Sequence, residues 1–466
     1  MSRGERSWNW TKNHWPELAA FFLGALLRVS MAWTYRPEWS YDYGDHWAVV
    51  TWILQHGHLP PVDALREAFH PPLFYVVAAQ LLKLGVSSKQ MIALPIVCGT
   101  LRLALIWYGL ERYLAESRRA RVAALALASV TASSVHIDGM VYSEAVSGLV
   151  IVVGMLLAAE MFRRGPTERW WLAVATGLVF GIAMLTKISA SVVIGCVAVA
   201  AGAECLMARR SVGLKALGAV TWLAALLVCV GVCGWYFARN VTEHHQLFLT
   251  SFELPFERGL VEETNKLPNL GRRSIDFVLG WDTSIFYFPY YPSAIAPRPQ
   301  FFPVAVASTF VDYWNFAFSG LEHDMPTPIH VATGALTPRV LAASQLAAIG
   351  GTVIFVATLV AWCKSLVPVL RALDFARLMF LLVPLGTLVA ALHFAIKYPV
   401  DSYGVVKGVY MQFGSAPLYA LFGLSFAWLW ARRDLWPLTV TLAAALWGVT
   451  TYTVYCRLHV PLLPLG

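Results

Sequence analysis

Two carboxylates and an imidazole stand close together in YDYGDHW, residues 41–47, just after the first apolar run of the chain. Asp42 and Asp45 are three residues apart, so on a helix they would share one face, with His46 one turn after Asp42. Neighbouring carboxylates raise the pKa of one member, which suits a general base, and they can also hold a divalent cation such as Mg²⁺ or Mn²⁺. The alternative is a solvated polar collar beside a membrane helix, and the stretch alone leaves both interpretations open.

A third acid and three cations stand at the ends of other apolar runs. Glu144 opens the fourth run, within the turn VHIDGMVYSEAVSG (135–148), and Lys187, Arg239 and Lys407 lie at further run ends. Lys187 is the most informative, because it sits between two apolar runs with hardly any polar sequence around it. Cations at one membrane level suit a lipid phosphate or pyrophosphate, which they would bind by charge-assisted hydrogen bonds. For Arg239, the snorkelling of an interfacial anchor is a competing explanation.

The composition indicates a membrane protein. Of the 466 residues, 58% are hydrophobic and only 13% are charged, about half the charged fraction of a soluble domain. The mean hydropathy is +0.60, and apolar runs of 18 or more residues recur along the whole length, which predicts an all-α polytopic membrane protein. The net charge of +8 then marks the cytoplasmic side of the membrane and does not indicate nucleic-acid binding.

Eleven apolar runs predict transmembrane helices. They cover residues 17–34, 91–111, 121–137, 143–162, 170–186, 188–207, 216–238, 339–362, 377–396, 409–430 and 436–456. A further apolar segment, 71–85, has about 15 residues, fewer than the ~20 that a span requires. If this segment does not cross, the Lys and Arg residues of the short connections cluster on one side, as the positive-inside rule requires. We therefore predict that 71–85 is an interfacial or re-entrant helix.

This topology divides the chain into five parts, two of which face the exocytoplasmic side. They are a cytoplasmic N-terminus with the first helix (1–34), a first outer loop with interfacial helices (35–90), transmembrane helices 2–7 (91–238), a second outer loop (239–338) and transmembrane helices 8–11 (339–466). Most of the Asp and Glu residues fall on the outer side, so the chemistry is predicted there. The aromatic stretches 281–302 and 308–320 of the second loop fit either an aromatic belt or a platform for a sugar or acceptor.

Several sequence motifs, taken together, resemble those of a known family. The order DYGDHWAVVTWILQHGHLP (42–60) and FHPPLFYVVAAQLLKLG (69–85) is similar to the first outer loop of GT-C glycosyltransferases of the protein O-mannosyltransferase and lipid A aminoarabinose transferase type (glycosyltransferase 39/83-like). These enzymes have an acid after the first helix, then a Gly, then an H/K-P-P-L-x-Y phrase. GLVFGIAMLTKISA (177–190) and the K-G-x-Y phrase at 407–410 also resemble the family.

The resemblance implies a GT-C fold, a sugar donor linked to polyprenyl phosphate, and roles for the residues at the matching positions. Asp42 would be the base that deprotonates the acceptor, and Glu144 would match a second acidic position. The family often has Asp-Glu where this chain has Asp42-Tyr43, so Asp45 is also a candidate base. The residues predicted to bind the donor phosphate are His46, His70, Lys187, Arg239, Lys407 and Tyr410. If a metal takes part, Asp42, Asp45 and Glu144 are its predicted ligands.

The resulting hypothesis is an integral-membrane glycosyltransferase of the bacterial inner membrane, with its active site on the exocytoplasmic face. Sugar nucleotides are absent from that side, so the donor must be carried by a lipid. Walker loops and dinucleotide fingerprints, which would indicate nucleotide chemistry, do not occur in the sequence. The acceptor, whether glycan, lipid or protein, is not encoded in any motif. The alternatives are a polytopic transporter or flippase of lipid-linked sugars and a non-catalytic lipid-binding membrane protein.

Overall fold

Long apolar helices account for most of the structure, as the recurring apolar runs dictate. The computed structural model describes residues 3–35, 37–40, 42–114, 117–254, 274–287, 300–311, 338–398 and 406–458. Within these residues the α-helices are α1 (Arg3–Thr34), α2 (Tyr43–His56), α3 (Leu73–Lys83), α4 (Ala93–Tyr113), α5 (Arg118–Val130), α6 (Ala132–Ile137), α7 (Ser143–Arg163), α8 (Trp170–Thr186), α9 (Ala190–Met207), α10 (Val212–His244), α11 (Ile275–Leu279), α12 (Phe301–Phe310), α13 (Pro338–Ala372), α14 (Phe375–Lys397), α15 (Ser415–Trp430) and α16 (Trp436–Leu458). No strand occurs in the described parts of the chain, so the predicted all-α membrane fold is confirmed.

The number of membrane-spanning helices differs from the prediction. Nine helices among the described residues are long and apolar enough to cross a membrane, so the predicted count of eleven is not confirmed. The run 121–137 is broken at Thr131, whose backbone is extended, into α5 and the short α6. The run 170–186 forms the 17-residue α8, about 25 Å long and at the lower limit for a span.

The first outer segment contains two helices that lie against the bundle. Helix α3 has 11 residues, which makes it about 16 Å long and too short to cross a bilayer. It packs against α2 and against α8. The aromatic rings and methyl groups of this segment form a hydrophobic cluster with α12 and with the nearest turns of α13 and α14.

The helical bundle has two chemically different ends. We call the end where α4, α7, α9 and α15 finish the basic end, because its cations include Arg112, Arg163, Arg209, Lys364 and Arg432. We call the opposite end, where α7 begins and α8 finishes, the site end, because it carries the predicted site residues. Of the aromatic stretches in the second outer segment, 288–299 and 312–320 lie outside the described residues.

A buried ionic network joins α1, α4 and the α6–α7 turn. The carboxylate of Asp138 is fully buried and accepts hydrogen bonds from Arg28 Nε at 2.7 Å and from Arg102 Nη2 at 3.0 Å. Gly99 permits this approach, because a Cβ at that position would overlap the Asp138 carboxylate. Burial of two arginines within the bundle requires a counter-charge, and Asp138 provides it.

Replacing Asp138 should strongly destabilise the fold. Asp138→Ala leaves two buried guanidinium groups without their carboxylate, and loss of one partner of a buried ion pair costs about 3–5 kcal/mol. The thermal unfolding midpoint of the purified protein in detergent should therefore fall clearly. Arg112→Ala is the matched control, because its 3.3 Å ion pair with Glu160 is largely exposed and is worth at most about 1 kcal/mol. Equal effects of the two substitutions would contradict the structural role given to Asp138.

Candidate active site

Asp42 stands immediately before α2 in an unusual backbone conformation. Its φ of 58° lies in the left-handed region, which Asp tolerates better than most residues. As the residue before the helix it could cap the first turn, yet its carboxylate makes no capping hydrogen bond. The side chain of Asp42 is therefore available for another role, and a strained backbone at such a position is typical of functional sites.

Glu67 completes a carboxylate group that the sequence analysis missed. One carboxylate oxygen from each of Asp42, Asp45 and Glu67 lies within 4.8 Å of the others. Asp45 forms a 3.2 Å ion pair with Arg66. Burial raises the pKa of Asp45, the Arg66 guanidinium opposes this shift, and the Glu67 and Asp42 carboxylates add to it. The only signal in the sequence was the spacing of Glu67 three residues before His70.

Two buried imidazoles line the same site as hydrogen-bonding groups. His46 Nδ1 lies 2.7 Å from the Tyr75 hydroxyl, and His70 Nε2 lies 2.9 Å from a Glu67 oxygen. Burial lowers the pKa of His46 to about 4, and burial together with the Lys187 ammonium lowers the pKa of His70 to about 3. Both rings are thus neutral at pH 7. His70 therefore supplies no positive charge, and its one N–H, on Nε2, donates to Glu67.

Glu144 and Lys187 form a buried ion pair beside the carboxylate group. Glu144 lies in the first turn of α7, and its Oε1 accepts a hydrogen bond from Lys187 Nζ in the connection between α8 and α9. Burial lowers the pKa of Lys187 to about 7; Glu67 and Asp42 raise it, and Lys407 lowers it. Glu144 is thus bonded to Lys187, and the two possible metal-ligand groups among the described residues contain Glu67 instead of Glu144.

Lys407 and Tyr410 reach the site on a 3₁₀ segment, Gly408–Gly414. The Lys407 ammonium lies 5.1 Å and the Lys187 ammonium 5.5 Å from the centre of the Tyr410 ring, so one aromatic ring contacts both cations. The segment is held from both ends, because Gly408 N donates to Ser308 Oγ at 2.8 Å and Gln412 Nε2 donates to Ser133 Oγ at 2.8 Å.

Arg239 approaches the group from α10. Its guanidinium lies 4.9 Å from the centre of the Tyr236 ring, at a small cavity that His70 and Tyr75 also line. Arg239 Nε is buried and has no hydrogen-bond partner among the described residues. The structure therefore gathers all nine predicted site residues at the site end, and Arg239 Nε lacks an acceptor in the described part of the chain.

Two overlapping ligand sets suit different metals. Asp42, Asp45 and Glu67 offer only oxygen, which Mg²⁺ and Mn²⁺ prefer. His46, Glu67 and His70 also have ligand atoms within 4.8 Å of one another, and neutral imidazoles with a carboxylate suit Zn²⁺. Glu67 belongs to both sets, so it is the residue on which any metal binding would depend.

Comparisons with known proteins agree with this architecture. Residues 69–235 match the sequence model of the family described as dolichyl-phosphate-mannose-protein mannosyltransferase. A comparison with curated proteins found no match.

Solved structures of an oligosaccharyltransferase from Archaeoglobus fulgidus have the same fold. Its apo form is 12% identical, with a TM-score of 0.51 over 98% of this chain and 57% of that one. Its complex with Zn and sulfate is 11% identical, with a TM-score of 0.55 over 96% of this chain and 54% of that one. At this level of identity the likeness shows the fold alone. The chain spans somewhat more than half the length of that oligosaccharyltransferase.

The affinity of the site for a lipid phosphodiester should depend on pH. Lys187, with a pKa of about 7, is charged below that pH and neutral above it. A charge-assisted hydrogen bond to phosphate is therefore present at pH 6 and lost by pH 8.5, which should weaken binding by about tenfold. Titration of the purified protein with a polyprenyl-phosphate sugar at both pH values measures the change.

Lys187→Arg is the control for this pH dependence, because an arginine stays charged throughout. Its affinity should be nearly the same at pH 6 and pH 8.5. A tenfold loss in this variant as well would assign the titration to another group.

Proposed function

We propose that the chain is a membrane glycosyltransferase that moves a sugar from a polyprenyl-phosphate-linked donor to an acceptor. The observation that carries the proposal is the juxtaposition of three carboxylates with Lys187 and Lys407 at one end of the bundle. Glycosyl transfer from a lipid phosphate needs a base for the acceptor and positive charge for the leaving phosphate. The family match at residues 69–235, which contains His70, Glu144 and Lys187, supports the same reaction class.

Asp42 is the base in this mechanism. Its carboxylate takes the proton of the acceptor hydroxyl or amine, while the acceptor atom forms a bond with the anomeric carbon of the sugar. The bond between that carbon and the phosphate oxygen breaks, and its electron pair stays on the phosphate. Lys187 and Lys407 stabilise this developing charge, with the N–H groups of Arg239 as further donors.

Asp45 is less suited to act as the base. The Asp45 carboxylate is engaged in a 3.2 Å ion pair with Arg66, whereas the Asp42 carboxylate makes no capping hydrogen bond. Glu67 is also committed, because it holds His70. Asp42 is thus the acid of this group with the fewest assigned contacts.

The residues present fit a divalent cation. Asp42, Asp45 and Glu67 would hold Mg²⁺ or Mn²⁺, and a bound ion would supply positive charge to the leaving phosphate. Lys187 and Lys407 already place two ammonium groups beside the site, so the chain's own residues provide charge of the same kind.

Replacement of Asp42 should abolish transfer without abolishing donor binding. Asp42→Asn keeps the size of the side chain but removes the base, and loss of general-base catalysis lowers the rate by about 10²–10⁴-fold. The rate of sugar transfer is measured with radiolabelled polyprenyl-phosphate donors and a panel of acceptors. The affinity of the variant for the same donor shows whether the binding site is intact. The matched control is Asp63→Asn, an exposed aspartate of the same loop.

Two outcomes of this experiment would overturn the assignments. Normal turnover of Asp42→Asn with loss only in Asp45→Asn would move the base to Asp45. Absence of transfer by the wild-type protein with every donor and acceptor, despite donor binding, would favour a transporter or a lipid-binding protein.

We further propose that the site end faces the exocytoplasmic side of the bacterial inner membrane. The support is the positive-inside rule, because cations are concentrated in the short connections of the opposite end. A donor carried by a lipid is also what a transferase on that side requires.

Cysteine labelling in intact cells tests this orientation. A membrane-impermeant thiol reagent should label Asp63→Cys in the first outer segment, above the background of the wild-type cysteines. It should label Arg209→Cys, between α9 and α10, only after lysis. The reverse pattern would place the site in the cytoplasm.

A further inference from the structure

A second cavity, of about 430 Å³, lies between α4, α7, α13, α14 and α15. Its walls are almost entirely apolar, and Leu110, Met155, Leu381, Ala420 and Leu424 are representative. The volume is within the range of small-molecule and lipid sites in proteins. Neither the carboxylates nor the cations of the candidate active site line it.

The cavity runs along the membrane normal toward the basic end. On α15 its lining extends from Ala416 to Trp428, which corresponds to about 18 Å of helix. On α4 it extends from Leu105 to Leu114, just beyond the helix end. The lining thus follows the helices over a length that suits part of a hydrocarbon chain, and it reaches the helix ends at the basic end.

Two cations stand at the basic end of this cavity. Lys364 and Arg377 both belong to its lining and are exposed. The Lys364 ammonium lies 3.0 Å from the centre of the Trp428 ring, which fixes the charge at the opening. Asp374 contacts Arg377 through Nε at 3.4 Å, so the terminal N–H groups of the Arg377 guanidinium can donate to a phosphate.

Two further acids lie close to this end of α4 and α7, and each has partners. Glu111 contacts His14 at 3.4 Å and accepts a hydrogen bond from Trp107 Nε1 at 3.0 Å. Glu160 pairs with Arg112 at 3.3 Å and with Arg164 at 3.0 Å. The guanidinium of Arg163 lies 5.5 Å from the centre of the Tyr113 ring, and Tyr113 also lines the cavity. The rim therefore presents net positive charge around an apolar interior.

We propose that this cavity binds an anionic phospholipid from the leaflet at the basic end, with one acyl chain inside and the headgroup phosphate at Lys364 and Arg377. Basic pockets between transmembrane helices on the cytoplasmic side are suited to acidic lipid headgroups. The donor lipid is a poor occupant, because its phosphate belongs with Lys187 and Lys407 at the other end of the bundle. The proposal does not depend on transferase activity.

Lipid competition followed by native mass spectrometry tests the proposal. The detergent-purified full chain is offered equal amounts of phosphatidylglycerol and phosphatidylcholine with matched acyl chains. The wild-type protein should retain phosphatidylglycerol in preference to phosphatidylcholine. In Lys364→Gln/Arg377→Gln the ratio of the two retained lipids should fall by at least about tenfold. Arg209→Gln/Arg433→Gln removes two exposed cations of the same end that do not line the cavity, and it should keep the selectivity.

A second variant tests the apolar part of the site. Ala420→Phe fills the cavity and should reduce retention of both lipids, and the smaller Ala420→Leu should give an intermediate loss if the bulkier residue disturbs folding. An unchanged thermal unfolding midpoint in lipid-free detergent shows that each variant is folded.

Three results would overturn the proposal. They are unaltered selectivity in Lys364→Gln/Arg377→Gln, equal losses in the Arg209→Gln/Arg433→Gln control, and unaltered lipid retention in both Ala420 variants. Displacement of the retained phospholipid by an equimolar polyprenyl phosphate would assign the cavity to the tail of the donor instead.

Discussion

The rest of the structure depends on the pairing of charges that the bundle removes from water. Asp138 pairs with both Arg28 and Arg102 in the interior and thereby holds α1, α4 and the turn before α7 at one level. Helix α7 then presents Glu144 in its first turn, where Lys187 from the break after α8 meets it. An uncompensated charge at any of these points would cost several kcal/mol, so the ion pairs restrict how the helices can be arranged.

The candidate active site also depends on the pairing of charges that are removed from water. Its acids come from the first outer segment and its cations from the α8–α9 connection and the Gly408–Gly414 segment. The two groups approach each other without being fully matched, since Arg239 Nε has no partner among the described residues. In the proposed function, the phosphate of the donor lipid would supply the acceptor that Arg239 Nε lacks.

The residues of the site differ in how well the sequence could predict them. Lys187 was identifiable because a lysine between two apolar runs is expensive unless it has a function. Glu67 was missed because its importance depends on the fold of 57–72, which brings it to Asp42 and His70. The neutrality of His46 and His70 was also hidden, since burial sets their pKa values and burial is a property of packing. The break at Thr131 likewise escaped the hydropathy pattern.

The sequence by itself determined the class of protein, because hydropathy and the distribution of basic residues act locally and are readable along the chain. It also identified the side chains from which a site could be built. Only the tertiary structure decided which of them meet: Glu144 joins Lys187, and Glu67 joins the aspartates. The cavity at the basic end was equally a result of packing, because its walls come from five helices that are far apart in sequence. Contacts between distant segments follow from the balance of burial and charge over the whole bundle, which no single stretch contains.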